Sequence, residues 1–325
     1  MNSSLAVRLN HSAHRRMDSG VKKAARFKIH GHDVAAATVI DAGIDTPGSL
    51  AAGIWMSQLC MSDLAKIDLC RIDPAVFAAE WGVSVRTDDP VAACLASQYA
   101  GWPVSAGDYF AMGSGPMRLA RGREPMLEQL SLVGTAETLT TPLVGILESD
   151  KMPTPEVIQT IADQCDVTAS HIHLAIAPSF SIAGTMQVVA RSIETAMHKL
   201  HELHFDVAKI VSAAGTAPLP TPAKRGDIVG GIGRTNDAIL YGGDVTFWTD
   251  AEDDVIADLI GKVPSSSSSD YGRPFAETFK SYDYDFYKVD PMLFSPARVT
   301  MRSTVSGRTF SAGSIDSRCL TESFA

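Results

Sequence analysis

The feature that most restricts this chain is the change of hydrophobic period between Pro142 and Gly215. LVGILES reads as a strand. TPEVIQTIADQC reads as a helix, with Thr154 as its cap and Pro155 at its first position. HIHLAIAP is a second strand, SIAGTMQVVARSIETAMHKLHEL the next helix and VAKIVSAAG a third strand. Strands alternating with helices predict an α/β architecture with right-handed crossovers.

Weaker signals surround this core. Ala36 to Ile40 is a short apolar, partly β-branched run, and Thr46-Pro47-Gly48-Ser49 is a turn able to open a helix through Cys60. Asp88-Asp89-Pro90 starts a small-residue helix, PVAACLASQYAGW, ended by Gly101 and Pro103. Beyond Asp250 come a serine-rich loop, PSSSSSDYGRPF, and a hairpin turning at Ser306-Gly307. No fixed-period repeat is present. A boundary among residues 134–141 would divide an N-terminal α/β lobe, 1–138, from a C-terminal α/β lobe, 139–325.

Composition narrows the function classes. A chain of 325 residues, 45% hydrophobic and 20% charged, has enough material for one large domain or two lobes. A net charge of −9 argues against a general nucleic-acid or anionic-membrane partner. No apolar run approaches the roughly 18 residues of a membrane span. Cys60, Cys70, Cys94, Cys165 and Cys319 are odd in number and form no C-x-x-C pair, which fits a reducing compartment. The basic start, MNSSLAVRLNHSAHRRMDSGVKKAARFK, lacks the apolar core of a secretory signal. It reads as a solvated first helix or frayed tail, with an organellar transit peptide as the other reading. The expected location is cytoplasmic.

Four motifs hold chemistry. In ARSIETAMHK, Ala190, Ile193, Met197 and Leu200 form a core stripe, and Arg191, Glu194 and His198 form the neighbouring one. Arg191 and Glu194 would stand two to three turns into the helix that follows SFSIAGT, near the strand ends where α/β sheets bind ligands. On spacing alone, the pair also reads as a surface salt bridge worth under about 1 kcal/mol. GSGPMR, residues 113–118, could let backbone N–H groups approach an anion, or be a plain tight turn. GRTNDAILYGG, residues 233–243, groups four polar side chains between glycines before a strand, AILY. That suits either the edge of a flat polar heterocycle or a capped turn. His171 and His173 form an H-x-H on a strand, and His198, His201 and His204 lie along a helix. Either set could hold a metal, although H-E-x-x-H is absent.

Together these stretches resemble the methenyltetrahydromethanopterin cyclohydrolases. The matching text is DPVAACLASQYAGW, FAMGSGPMR, APSFSIAGTMQVVARSIETAMHK, GRTNDAILYGGDV, PSSSSSDYGRPFAE and DFYKVDPMLFSPA, in that order, over about residues 35–313. The resemblance implies a two-lobed α/β protein with a pterin bound between the lobes, assembled as a homotrimer, with no metal and no organic cofactor. It implies that water adds to the methenyl carbon bridging N5 and N10 of tetrahydromethanopterin, giving the N5-formyl form reversibly. The carrier is then the substrate. The family's catalytic arginine and glutamate, three apart after the AGT loop, fall on Arg191 and Glu194. Substrate contacts are implied for Gly113, Ser114, Gly115 and Arg118, for Ser181, Gly184, Thr185 and Gln187, and for Arg234, Thr235, Asn236 and Asp237. The competing readings are a metal-dependent amidohydrolase built on His171 and His173, and a pterin-binding protein without catalysis.

Overall fold

A computed structural model describes residues 4–132, 142–285 and 288–325. Twelve strands are present among them: β1 (His30–Val34), β2 (Ala37–Asp41), β3 (Ala65–Arg71), β4 (Trp81–Thr87), β5 (Trp102–Ala106), β6 (Tyr109–Ser114), β7 (Leu143–Glu148), β8 (Ile172–Ala177), β9 (Ile210–Pro218), β10 (Asp244–Thr249), β11 (Arg298–Ser303) and β12 (Thr309–Gly313). They form two mixed six-stranded sheets accompanied by helices, an α/β fold.

The chain divides into two compact units, each discontinuous in sequence. The first takes Met1–Leu64 and Ala92–Gln187, the second Ala65–Val91 and Val188–Ala325. The expected boundary at 138/139 lies outside the described residues. The chain passes between units after Leu64, Val91 and Gln187. Residues 65–91 go with the later half because their hairpin, β3 with β4, hydrogen-bonds onto β9.

In the first unit the strand order is β1-β2-β8-β7-β6-β5. The central β2, β8 and β7 run parallel, and β1, β6 and β5 pair antiparallel around them. Strand alternation sorts the side chains onto two faces. Ile40, Val144, Ile146 and Ala175 pack with Met17, Trp55, Met56 and Leu59 of helices Leu5–Val21 and Leu50–Cys60. Val39, Leu143, Leu147, Leu174 and Ile176 pack with Val157, Ile158 and Ile161 of helix Pro155–Cys165. The expected cap is in place, Thr154 accepting from the Val157 N–H, and the turn at 46–49 opens its helix with Ser49 accepting from the Ala52 N–H.

The first helix is not merely solvated. Leu9, Asn10, Ala13, Met17 and Gly20 form a buried stripe. Asn10 donates to the carbonyls of Ala6 and Pro116 and accepts from the Val144 N–H, so a buried amide ties this helix to the sheet. Residues 91–98 also differ from a regular helix. They form a wide π-type turn in which the Tyr99 N–H reaches back five residues to the Cys94 carbonyl, 2.8 Å away.

In the second unit the order is β12-β11-β10-β9-β4-β3, parallel only between β10 and β11. Val83, Val85, Ala213, Ala217, Val245, Phe247, Val299 and Met301 form the buried face. The expected tail hairpin is β11 with β12, turning through Gly307 at φ +75°.

Two expected elements are corrected. The single helix expected from Ser181 onward is two, Ile182–Val189 and Ser192–Glu202, separated at Ala190 and Arg191. The GRTNDAIL stretch is not a loop followed by a strand. It lies in helix Ile228–Leu240, capped by Asp227, whose carboxylate accepts from the Gly230 N–H at 2.8 Å. Its glycines allow close packing: a Cβ on Gly233 would lie 2.9 Å from the Cβ of Ala276, on helix Phe275–Ser281.

Candidate active site

The break at Ala190 and Arg191 decides how the candidate pair stands. Arg191 is the capping residue of helix Ser192–Glu202, and Glu194 sits in that helix's first turn. They are therefore at a helix start, not two to three turns into one. Ala190, Ile193, Met197 and Leu200 are fully buried, as the stripe predicts. This helix start lies against β9, where Gly215 has no side chain; a Cβ there would fall 2.7 Å from Ser192 Oγ and 2.9 Å from Ile193 Cγ1. Any larger residue at 215 would push the helix start away from the sheet.

Arg191 Nη1 lies 3.8 Å from Glu194 Oε2, with side chains 8% and 5% exposed. Those values exclude the exposed surface bridge. That contact is an ion pair, longer than a hydrogen bond, so it is not a bidentate fork. The guanidinium and the positive end of the helix dipole both place positive charge beside the carboxylate. The arrangement is a desolvated, oriented carboxylate beside a permanent cation, able to attract a cation and to exchange a proton.

Ser181, Gly184, Thr185 and Gln187 follow the carboxyl end of β8. Ser181 Oγ donates to the Pro178 carbonyl at 2.8 Å and accepts from the Gly184 N–H at 3.0 Å, capping helix Ile182–Val189. Thr185 Oγ1 donates to the Ser179 carbonyl. Gly184 is required here, because a Cβ would lie 1.9 Å from the Pro178 carbonyl oxygen. Gln187 is buried.

The GSGPMR turn sits elsewhere in the same unit. Ser114 pairs with Ile146, and Gly115, at φ +91°, turns back against Val144 and Gly145 in the amino half of β7. Gly113 pairs with Leu147, one step short of the carboxyl end of β7, whereas Ser114 and Gly115 lead away from the strand edge that carries Ser181. Ser114 Oγ lies 3.2 Å from Cys60 Sγ. Arg118 is fully buried, with its N–H groups directed inward. Nε donates to Glu124 Oε1 at 2.9 Å, Nη2 pairs with Glu124 Oε2, and Nη1 donates to the carbonyls of Leu95 and Ser97. The guanidinium also covers the Tyr99 ring at 4.9 Å. These contacts make Arg118 the anchor of the π-type turn.

Residues 234–237 are likewise engaged with the fold. Arg234 donates to the carbonyls of Thr221 and Ala325. Thr235 Oγ1 and Asn236 Nδ2 bond back to carbonyls of their own helix. Asp237 is fully buried and its Oδ1 accepts from the Phe275 N–H at 2.8 Å. Burial, reinforced by Glu277 and Glu322, pushes its carboxyl up to about 7 against the lowering effect of the Phe275 N–H.

The histidines do not form the expected H-x-H on a strand. His171 ends the turn Ala169–His171 and pairs through Nδ1 with Thr168 Oγ1, while His173 is in β8. The His173 ring packs edge-on to His14 at 4.5 Å. Burial first, and His14 next, push His173 down to about 4. Among the described residues no three His, Cys, Asp or Glu side chains gather to hold a metal ion.

Buried charged groups that the sequence reading did not single out include Lys199 and Asp41. Lys199 donates to Ser267 Oγ at 3.1 Å and to the Met292 carbonyl, so it holds the serine-rich loop; burial pushes it down to about 8. Its signal was there, on the buried stripe of Ser192 and Ala196. Asp41, at the carboxyl end of β2, accepts four backbone N–H groups. An aspartate ending an apolar run before a glycine-rich turn is the pattern that marks it.

Comparison with known proteins follows the same residues. The family described as "Cyclohydrolase (MCH)" matches residues 8–324. A methenyltetrahydromethanopterin cyclohydrolase of Rhodopirellula baltica is 58% identical over 293 residues, 90% of this chain and 87% of that protein. One of Methylobacillus flagellatus is 44% identical, covering 89% of this chain and 86% of its own length. An archaeal one, of Methanococcoides burtonii, is 40% identical, covering 89% and 88%.

Proposed function

This chain belongs to the methenyltetrahydromethanopterin cyclohydrolase family, and on that premise we propose that it interconverts N5,N10-methenyltetrahydromethanopterin and N5-formyltetrahydromethanopterin. The observation that carries the reading is the buried Arg191–Glu194 pair at a helix start. The substrate's amidinium carries one positive charge over N5, the methenyl carbon and N10. Water's oxygen bonds to that carbon while Glu194 accepts a water proton. The C–N10 bond then breaks, N10 takes one proton, and a second leaves to solution as the formyl C=O forms. Atoms and charge balance: cation plus water gives the neutral formyl compound and a proton. Arg191 orients the carboxylate. The Ser181–Gln187 segment is proposed to contribute contacts to the pterin.

A resident metal would oppose this chemistry. A divalent cation beside an already cationic carbon repels it, and a partly dry site strengthens that repulsion. A metal-bound hydroxide helps most where the electrophile is neutral. The reading is therefore of an enzyme with neither metal nor organic cofactor. The amidohydrolase alternative needs ligands that His171 and His173 do not gather among the described residues.

Decay of the methenyl chromophore on adding protein tests the activity directly. Full turnover is expected after exhaustive chelation; activity lost to a chelator and restored by zinc would replace the mechanism. A cytoplasmic setting is supported by five free thiols, and no helix among the described residues is long and apolar enough to cross a membrane. Assembly as a homotrimer rests on the family resemblance, and sedimentation checks it.

A further inference from the structure

Asp41 has no part in the chemistry above, yet its surroundings are unusually specific. It ends β2 beside Ile176 of β8 and is 1% exposed. Oδ1 accepts from the N–H groups of Gly43 at 2.8 Å and Ile44 at 2.7 Å. Oδ2 accepts from those of Asp45 at 3.0 Å and Thr46 at 2.9 Å. Thr46 Oγ1 donates back to the Asp41 carbonyl. Residues 43–46 are thus wrapped around one carboxylate. Burial alone would raise its pKa; the N–H groups of Gly43, Ile44, Thr46 and Asp45 outweigh that and hold it below the usual aspartate value.

The wrapped loop is keyed to a second one. A Cβ on Gly43 would lie 2.4 Å from Ser181 Oγ, so the bare backbone of Gly43 fits against the Ser181 side chain. Gly48 closes the loop at φ +60°, where a Cβ would be 2.3 Å from the Ala42 carbonyl and 3.4 Å from Ala183 Cβ. Gly53 abuts Met186 in the same way, so the first helix after the loop is seated on helix Ile182–Val189. Both loops leave the carboxyl ends of neighbouring parallel strands, the edge where α/β sheets bind ligands.

We propose that Asp41 is a positioning residue of the pterin site, fixing through Gly43 the Ser181–Gln187 segment that contacts substrate. This rests on the cyclohydrolase reading and deepens it. Asp41 acts through the loop, so it should govern substrate binding and leave the proton chemistry of Glu194 alone.

Asp41→Asn in the full chain is the test. The amide keeps one acceptor and turns an NH2 toward two backbone N–H groups. We expect KM for the methenyl substrate to rise about tenfold or more, the scale of one lost charge-assisted hydrogen bond. We expect kcat within about threefold of wild type and an unchanged kcat–pH profile. A folded Asp41→Asn with wild-type KM overturns the proposal, as does a fall in kcat at unchanged KM. Should Asp41→Asn fail to fold, Gly43→Ala presses on the same contact and should raise KM likewise; a wild-type KM there overturns the coupling. Hydrogen exchange without substrate separates this proposal from the activity reading. Faster exchange in Asp41→Asn at residues 43–49 and also 178–185 supports the coupling whatever the enzyme turns over. Faster exchange confined to 43–49 overturns it.

Discussion

Arg191 and Glu194 begin a helix; Arg234 to Asp237 lie about two turns into another. Both clusters are in the second unit, and both offer an arginine with a carboxylate three residues on. At the helix start the two charges meet each other across 3.8 Å in a buried setting. In the second helix they never meet. Arg234 reaches loop and terminal carbonyls, and Asp237 turns inward to a backbone N–H. The lesson is that spacing brings side chains to one stripe, but position along the helix decides their use. A first turn supplies a positive dipole end and holds an anion ready. Mid-helix groups spend their hydrogen bonds on holding neighbouring segments together.

The largest expected effect breaks the first half of this contrast. Glu194→Gln keeps the shape and loses the proton acceptor. We expect kcat to fall at least about 100-fold, typical of a positioned general base, with KM changed far less. Stopped-flow decay of the methenyl absorbance measures it, and near-normal turnover would remove Glu194 from the base role.

Arg191→Lys comes next. The charge is kept, but the planar guanidinium and its reach are lost. A drop in kcat of about tenfold is expected, with Arg191→Ala lower still. Wild-type kcat in the lysine variant would reduce the role of Arg191 to that of a point charge.

Asp237 sharpens the other half through stability. Its folded-state pKa of about 7 lies well above the ordinary aspartate value of 3.8. Below the lower value both folded and unfolded chains hold the proton, and the contribution to stability is complete. As pH rises toward 7 the unfolded chain ionises first, so stability is lost across that window. Melting curves of wild type from pH 4 to 8 should therefore carry a downward slope that Asp237→Asn reduces. Equal slopes in both proteins would mean that the buried carboxyl ionises without cost.

The same contrast explains what was legible in the sequence. The strand–helix alternation from residue 142 to 215 carried through because apolar runs and the Thr154-Pro155 cap are local signals that the packing respects. The Arg191–Glu194 pair was found by its spacing and by resemblance, yet the break before it was not. Nothing in VVARSIE is a helix breaker; Gly215, on a strand some twenty residues later, admits the close approach of that helix start. The stretch 233–243 was misread because its glycines suggested a loop, whereas Gly233 serves close helix packing and Asp227 caps the helix. Residues 65–91 could not be placed from sequence, since their partner strand β9 lies more than a hundred residues on. Asp41 is harder to find because its four partners are backbone N–H groups, so its only sequence mark is its place at the end of an apolar run before the turn that holds Gly43 and Gly48.

Thr235→Val carries the smallest expected effect and the sharpest reading of the contrast. Thr235 Oγ1 donates to the carbonyls of Gly231, at 2.8 Å, and Ile232, at 3.1 Å. The helix itself already offers those carbonyls to backbone N–H groups, so the hydroxyl is a second, weaker donor. Valine matches threonine in shape and keeps the β-branch, and the buried methyl offsets part of what the hydroxyl supplied. The change should lie within about 0.5–1 kcal/mol, a shift of a few degrees in Tm at most. Both kcat and KM should stay within about twofold of wild type, because a hydroxyl committed to its own helix has nothing to give a ligand. A tenfold rise in KM with Tm unchanged would show the hydroxyl leaving the helix to meet the pterin. The GRTND segment would then belong to the site alongside Arg191 and Glu194, and the division between a helix start that does chemistry and a helix middle that holds the fold would fail.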